Sequence, residues 1–388
     1  MFIVDLLFLA SGIIFLLIFG YLFFLAIASL WPENCAPLVA PRLKFAIIIP
    51  AHNESGLIGL TLEALKTVNY PPDLYEVVVI ADNCDDDTAA IALKHSATCW
   101  QRHDLDNRGK GNVLRWTFPR LLEHGDHDAF VVVDADTHME VDFLRVINDH
   151  FCRGAKVVQG YSQARHPERS PMESLSFLGF ALNRNLRYRG RSRLGWTTNL
   201  MGTGMCFLRE VILKHGWNTT TMVEDIEYEM FLHLHDIRVT FAHSAKINVE
   251  LHKSVHQTQG QRTRWDMGKF EVRNRFLPQL LKRFITKRDI SYLDSAMELL
   301  LPPFSIFCAI VVAYCCLFVF FGYHGRDLNF YLWLAVTCSL TSYVLTGLFT
   351  VKANFKVYRS LLYAPFFILW RLWIIFLEFL KKNKQRQW

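Results

Sequence analysis

The stretch that decides the fold is Phe130-Val131-Val132-Val133-Asp134-Ala135-Asp136. Four apolar residues, three of them β-branched, are followed directly by two acids separated by one residue. A short continuous apolar run of this kind is typical of a strand buried on both faces of a parallel sheet. Ligands of open α/β sheets bind beyond the carboxyl ends of such strands. The stretch therefore predicts a buried strand that ends at a polar site.

The same alternation extends on both sides of this strand, from Lys44 to about Arg283. Apolar runs predict two further strands, at 45–50 and 77–80. The spacing of apolar residues predicts helices at 57–68, 87–95 and 111–123, between the strands. Buried strands that alternate with amphipathic helices indicate an α/β fold, with a mostly parallel, Rossmann-like sheet covered on both faces.

Long hydrophobic segments flank this block. Leu6 to Pro32 carries no charge over 27 residues, and a spanning helix needs about 20 residues. Leu299 to Tyr323 and Leu328 to Val351 read as a helical hairpin, with a bent entry at Pro302 and Pro303. We therefore predict a transmembrane anchor at 1–34, a catalytic domain at 42–285, and interfacial and transmembrane helices at 286–388.

The last hydrophobic segment and the basic loops bear on orientation. Leu361 to Leu380 contains Arg371 and Glu378, so it is expected to lie in the interface or to re-enter rather than to span. Lysines and an arginine at 352–359 favour a cytoplasmic location for that link, which places residues 32–298 inside the cell. We expect an integral membrane protein with a cytoplasmic catalytic domain, most simply in a bacterial inner membrane.

Composition excludes several classes of protein. The chain is 52% apolar with a net charge of +6, and its basic residues gather near hydrophobic segments. This distribution is typical of contact with membrane lipids, and no nucleic-acid partner is expected. The nine cysteines contain no C-x-x-C pair, which argues against a zinc site or a disulfide framework.

Three predicted strands end in polar groups, at 50–54, 81–87 and 134–136. Carboxylates that share one edge of a sheet repel each other unless a cation or a ligand that carries one relieves the repulsion. Asp134 and Asp136 suit Mg²⁺ or Mn²⁺ that bridges phosphate groups. The sequence thus predicts a site for a metal-bound phosphate compound at this edge.

Two later segments add chemistry. Asp225 precedes a helix-like run, where it either caps that helix or acts as a general base. Gln261, Arg264 and Trp265 combine an amide, a cation that can neutralise a diphosphate, and an aromatic face that can stack on a sugar ring.

In this order, the motifs resemble those of the family 2 glycosyltransferases. They are Pro50-Ala51-His52-Asn53-Glu54, Asp82, Gly109-Lys110-Gly111, Asp134 with Asp136, Glu224-Asp225, and Gln261 with Arg264-Trp265. The resemblance is greatest to the membrane-integrated branch that contains cellulose, chitin, hyaluronan and poly-N-acetylglucosamine synthases and ceramide glucosyltransferase. It covers roughly residues 44–285 and implies a GT-A fold, a UDP-sugar donor and an inverting, metal-dependent hexosyl transfer.

The resemblance also implies roles for individual residues. Those expected to bind the donor nucleotide and its diphosphate are His52, Asn53, Glu54, Asp82, Lys110, Asp134 and Arg264. Asp136 is the expected ligand of Mg²⁺ or Mn²⁺. Asp225, with Glu224 beside it, is the expected catalytic base. Residues expected on the acceptor side are Gly202, Thr203, Gln261 and Trp265.

Two acceptors fit this pattern. The first expectation is a growing polysaccharide, guided by the hydrophobic segments. The alternative is a single transfer to a membrane lipid such as ceramide, diacylglycerol or a polyprenyl phosphate, which the small number of spans and the short chain favour. A transporter would carry more of its length in spans, and a catalytically dead scaffold would be expected to lose Asp136, Asp225 or Arg264, so both are remote.

Overall fold

The structure is a computed structural model that describes residues 2–32, 36–165, 169–249, 255–320 and 328–380. For residues 2, 255–264, 266, 319, 371 and 374–380 it describes the backbone alone. The strands are β1 (Phe45–Ala51), β2 (Tyr75–Asp82), β3 (Thr98–Arg102), β4 (Ala129–Val132), β5 (Thr137–Met139), β6 (Val157–Ala164), β7 (Met205–Leu208) and β8 (Val239–Val249).

The α-helices are α1 (Phe2–Ser29), α2 (Ile58–Leu65), α3 (Thr88–Lys94), α4 (Lys110–His124), α5 (Phe143–Cys152), α6 (Pro171–Ala181), α7 (Arg189–Arg193), α8 (Arg209–His215), α9 (Glu224–Leu234), α10 (Val255–Lys287), α11 (Ile290–Leu300), α12 (Phe304–Phe320), α13 (Leu328–Thr350), α14 (Phe355–Ser360) and α15 (Ala364–Leu380). A π-helical segment (Leu182–Tyr188) joins α6 to α7, and 3-10 turns lie at Pro72–Leu74 and Leu361–Tyr363.

The chain divides into two compact units. The sheet unit contains the described residues of 36–165 and 195–300. The helical unit contains those of 2–32, 169–194, 301–320 and 328–380. The segment 169–194 falls within the predicted 42–285 domain, yet it clusters with the N-terminal and C-terminal helices.

The sheet unit is built on one eight-stranded sheet in the order β3-β2-β1-β4-β7-β6-β8-β5. Strands β3, β2, β1 and β4 run parallel to one another. Beyond β4 the sheet becomes mixed, because β7 is antiparallel to both β4 and β6, whereas β6 and β8 are parallel. The α/β fold with a mostly parallel sheet is confirmed, and its parallel half brings the carboxyl ends of β1, β2 and β4 to one edge.

Alternation along β1 explains how the sheet is covered on both faces. Ile47 and Ile49 belong to the core beneath α2 and α5. Ala46 and Ile48 point to the opposite face and join the core beneath α4, α8 and α9. All four side chains are fully buried, as expected for successive residues of a strand that point to opposite faces.

The helical unit has its own apolar core. Helix α1 packs along α13, where Trp333 Nε1 donates a hydrogen bond to the carbonyl oxygen of Phe8 at 3.0 Å. A side chain at Gly12 would meet Leu332, because a Cβ atom there would lie 2.4 Å from it. Leu178 and Leu186 of the 169–194 segment are buried in the same core.

Two helices in the described part of the chain are long and apolar enough to cross a membrane, Ile3–Ser29 and Leu328–Thr350. Within the predicted span at 299–323, α12 begins only at Phe304, and α11 and α12 meet at an angle of 68°, in agreement with the predicted bent entry at Pro302 and Pro303. Pro302 and Pro303 explain this late start, because proline does not continue a helix from the preceding turn. Helices α11 and α12 reach spanning length only if they are counted together.

Candidate active site

The polar residues predicted at the strand ends do lie at one edge of the sheet. His52 follows β1, and its Nδ1 atom lies 2.7 Å from the carbonyl oxygen of Asp82 at the end of β2. The backbone amide of Glu54 donates to Thr88 Oγ1 at 2.8 Å. Asn53 adopts a φ of 55°, and its Oδ1 accepts from the amide of Asp85 at 3.0 Å. The two loops are thus held together by hydrogen bonds, in a form that presents the segment 52–54 at the edge.

Asp82 is fully buried and pairs with Arg102 of β3, with 2.5 Å between Oδ1 and Nη1. Its other oxygen, Oδ2, is buried and has no hydrogen-bond partner among the described residues. A buried carboxylate needs such partners, so this oxygen is an acceptor that the described residues leave unsatisfied. Sequence reasoning missed Arg102, which also holds Asp104 at 2.8 Å.

Lys110 lies at the centre of the edge, as the first residue of α4. Its ammonium forms an ion pair with Asp134 and donates to the carbonyl oxygen of Gly202 at 2.8 Å. Burial by itself lowers the pKa of Lys110, but the carboxylates of Asp134, Glu224 and Asp225 outweigh burial and raise the pKa. Lys110 is therefore a stable cation that joins the loops after β4 and before β7, and the carboxylates at the start of α9 act on it through their charge.

Glu224 and Asp225 form the first turn of α9, and Val223 occupies the cap position. Asp225 is thus not the N-cap of this helix, although its Oδ1 accepts from the amide of Ile226 at 2.8 Å. Burial raises the pKa of both carboxyls. The positive charge of Lys110 opposes this increase, and the negative charge of Asp134 adds to it. Raised values of this kind are typical of groups that exchange protons near neutral pH.

The two neighbouring carboxylates face different surroundings. A Cβ atom at Gly202 would lie 3.5 Å from Asp225 Oδ2, so Asp225 faces the loop before β7. A Cβ atom at Gly111 would lie 3.2 Å from Glu224 Cβ, so Glu224 packs against the first turn of α4. Asp225 is therefore the carboxylate of the pair that lies beside the candidate acceptor loop.

The 202–204 loop is firmly placed beside Asp134. Gly202 and Gly204 adopt φ values of 75° and 71°, a region that favours glycine. Thr203 is buried, and its Oγ1 accepts from the amide of Asp134 at 3.1 Å. Gln159, a second residue that sequence reasoning missed, donates from Nε2 to the carbonyl oxygen of Thr203 at 2.8 Å.

Acids dominate the charge at this edge. Burial raises the pKa of Glu54, and the charges of Asp136 and Asp134 raise it further. Within the residues that the structure describes, no group of three or more His, Cys, Asp or Glu side chains is arranged to hold a metal ion alone. The arrangement fits Mg²⁺, which proteins bind through one or two carboxylates together with substrate phosphates.

The remaining predicted residues lie in α10. Gln261 and Arg264 lie in this helix, but their side chains fall outside the described residues. Trp265 is 47% exposed, so its ring is available to solvent. Their expected roles remain predictions.

Comparison with known proteins agrees with the fold of the sheet unit. A mannosyltransferase from Pyrobaculum calidifontis, solved in complex with GDP-Man and Mn²⁺, superposes with a TM-score of 0.56 at 17% identity, covering 88% of this chain and 96% of that one. The sheet unit therefore has the GT-A fold. The family model described as "Glycosyltransferase like family 2" matches residues 41–268 of this chain. The chain therefore belongs to that family. Outside the matched region, the described part of the chain has two helices of membrane-spanning length, Ile3–Ser29 and Leu328–Thr350.

Curated relatives share this central region. The beta-monoglucosyldiacylglycerol synthase of a Synechocystis species is 26% identical over 252 residues, which are 62% of this chain and 52% of that protein. The probable glycosyltransferase YdaM of Bacillus subtilis is 26% identical over 266 residues, 65% of this chain and 60% of that protein. The chain spans about half the length of the first of these relatives and somewhat more of the second.

Proposed function

We propose that the protein transfers one sugar from a UDP-sugar to a hydroxyl group of a membrane lipid such as diacylglycerol, with inversion at the anomeric carbon. The observation that carries this proposal is the position of Asp225 beside Gly202, where the charges of Lys110 and Asp134 act on the pKa of its carboxyl. The lipid acceptor is supported by the beta-monoglucosyldiacylglycerol synthase among the relatives. The polysaccharide acceptor, our first expectation from the sequence, has less support than this alternative.

The donor would lie along the carboxyl edge of the parallel strands. Asp82 Oδ2, a buried acceptor without a partner among the described residues, suits a donor N–H group of the nucleobase. His52, Asn53 and Glu54 would complete the nucleoside pocket. Lys110 would approach the diphosphate, exchanging part of its ion pair with Asp134 for a phosphate oxygen.

Asp136 would hold Mg²⁺ or Mn²⁺ together with the diphosphate. When bound, such an ion neutralises the negative charge that grows on the leaving diphosphate. The charges of Asp134 and Asp136, which raise the pKa of Glu54, are the local excess of negative charge that a cation would relieve. Arg264 would add a second positive charge on the diphosphate, and Gln261 and Trp265 would line the acceptor side.

Asp225 would take the proton of the acceptor hydroxyl while that oxygen attacks the anomeric carbon on the face opposite UDP. The C–O bond to the diphosphate breaks as the new glycosidic bond forms, so a single displacement turns an α-linked donor into a β-linked product. Gly202 and Thr203 would shape the passage by which the hydroxyl reaches Asp225. Glu224, packed against α4, would tune the charge of its neighbour.

The sheet unit would face the cytoplasm, where nucleotide sugars are made. Lys352, Lys356 and Arg359 follow the spanning-length helix α13, and basic residues of this kind favour the cytoplasmic side. We propose an integral membrane protein of a bacterial inner membrane on this basis.

Sizing of the product tests the proposed acceptor. Membranes that contain the full chain, incubated with a panel of radiolabelled UDP-sugars and diacylglycerol, are expected to yield a lipid that carries one added sugar. Thin-layer chromatography and mass spectrometry measure this product. A polymer that resists lipid extraction would instead support the polysaccharide reading and contradict the proposed acceptor.

The pH dependence of transfer tests the environment of Asp225. Because burial raises the pKa of this carboxyl, the base is lost by protonation at a higher pH than for an ordinary aspartate, whose pKa is about 3.9. Activity is therefore expected to fall as the pH drops below neutrality, through the raised pKa. The measurement is kcat/KM against pH at saturating metal. An acidic limb at about pH 4 would contradict a buried base.

A further inference from the structure

Helix α10 carries an apolar stripe on its outer face, formed by Met267, Phe270, Leu281 and Ile285. These side chains are 63%, 55%, 37% and 73% exposed. At 3.6 residues per turn they lie on one side of the helix as two pairs, Met267 with Phe270 and Leu281 with Ile285. The exposed Asn274 and Pro278 lie between the two pairs. The opposite side of α10 packs into the sheet unit through Val272, whose side chain is fully buried in the cluster it shares with α9 and α11.

A basic cavity of about 600 Å³ lies beside the apolar stripe, between α9 and α10. Arg275, Lys282 and Arg283 line it, and Phe231 and Phe276 add aromatic surface. None of the nine described residues that line it is acidic. The lining therefore carries positive charge at Lys282 and Arg283, whereas the charge of Arg275 is balanced by the carboxylate of Glu227.

Two of these cations are held in place by the sheet unit. Arg275 pairs with the buried carboxylate of Glu227 at 2.7 Å, and Arg283 donates to the carbonyl oxygen of Leu234 at 3.0 Å. Lys282 is exposed and directly follows Leu281 of the apolar stripe. The ammonium of Lys282 and the fixed guanidinium of the next residue, Arg283, suit a phosphate group.

We propose that this surface binds an anionic phospholipid, with the phosphate in the basic cavity and the glycerol and acyl chains along the apolar stripe. A free phosphate ion would use the cations but would leave the stripe without a role. An apolar face flanked by arginine and lysine is the pattern of helices that lie in the interface of an anionic membrane. The positive charges of the cavity are complementary to the negative charge of the cytoplasmic leaflet. The site would hold the α10 surface of the sheet unit against that leaflet. The inference holds whichever acceptor receives the sugar.

Lipid titration of the purified full chain in a neutral detergent tests the site. The probes are dioctanoyl phosphatidylglycerol, dioctanoyl phosphatidylcholine and inorganic phosphate, with binding followed by microscale thermophoresis. Phosphatidylglycerol is expected to bind at least about tenfold more tightly than phosphatidylcholine, because each basic residue near an anionic head group adds to the attraction. Inorganic phosphate is expected to bind more weakly than phosphatidylglycerol.

Matched charge variants locate the binding. Lys282→Gln combined with Arg283→Gln is expected to weaken phosphatidylglycerol binding about tenfold or more. The control, Lys94→Gln combined with Lys214→Gln, removes the same charge from exposed residues that do not line the cavity, and it is expected to bind as the wild type does. Lys282→Gln alone gives the same test, with a smaller effect, if loss of the Arg283 hydrogen bond unfolds the double variant.

Three results would overturn the proposal. Equal weakening by the cavity pair and the control pair would show general charge attraction without a site. Equal binding of the two lipids would show that the head-group charge is not recognised. Inorganic phosphate that binds as tightly as phosphatidylglycerol, with the same loss in the cavity variants, would identify a free-phosphate site instead of a lipid site.

Discussion

Asp225→Asn is expected to lower kcat by about 10²–10⁴-fold, the contribution typical of a general base. The amide keeps the size of the side chain but cannot accept the proton of the acceptor hydroxyl. UDP binding is expected to stay close to that of the wild type, because Asp225 faces the loop of Gly202 rather than the loops that follow β1 and β2. Initial rates with a saturating UDP-sugar, together with calorimetric titration of UDP, measure the two effects separately.

Glu224→Gln is the matched control for this substitution. It removes the neighbouring carboxylate, which has a similarly raised pKa but packs against Gly111 of α4. Its effect on kcat is expected to be much smaller than that of Asp225→Asn. If Glu224→Gln abolished transfer while Asp225→Asn retained normal turnover, the roles of the two residues would have to be exchanged.

Asp136→Asn is expected to lower transfer by about 10²–10³-fold, because charge on the leaving diphosphate would lose its metal-dependent stabilisation, which is worth several kcal/mol. The variant should also lose most of its stimulation by Mn²⁺ and Mg²⁺. Rates measured against metal concentration at a fixed UDP-sugar concentration report both effects.

Asp85→Asn is a suitable control for the Asp136 substitution. Asp85 is an exposed carboxylate of the loop that follows β2, so its removal changes the net charge near this edge by the same amount. Its metal dependence is expected to match that of the wild type. A full metal response in Asp136→Asn would contradict the assignment of Asp136 as the metal ligand.

The sequence predicted the parallel half of the sheet well, because buried strands leave a clear pattern. The apolar runs at 45–50, 77–80 and 130–133 coincide closely with β1, β2 and β4. Parallel strands place their carboxyl ends at one edge, so the grouping of His52, Asp82 and Asp134 followed from local pattern alone.

The supporting residues were not predictable in the same way. Arg102 pairs with Asp82 across twenty residues, and Gln159 holds Thr203 across forty-four. Such contacts depend on strand register and on the crossovers between strands, which leave no periodic signal in the sequence. A buried position for a long polar side chain becomes apparent only once its partner is placed.

The 169–194 segment was included in the predicted catalytic domain at 42–285, but it belongs to the helical unit. Its Leu178, Leu182 and Leu186 recur every four residues and are all buried in the helical unit. That spacing was the available signal for a helix with an apolar face. Arg191 is buried too, and it donates to Tyr21 Oη at 3.1 Å, a partner 170 residues away.

Calorimetric titration of UDP into the purified full chain, with and without Mn²⁺, tests most directly whether the acids at the sheet edge hold a metal-bound diphosphate. Mn²⁺ is expected to tighten UDP binding at least about tenfold in the wild type, since Asp136 would hold the ion and its charge would offset that of the diphosphate. The same addition should have little effect in Asp136→Asn. Two results would contradict the assignment of this edge as the donor site. One is a wild-type affinity for UDP that does not change with Mn²⁺, and the other is an equal increase in UDP affinity with Mn²⁺ in Asp136→Asn.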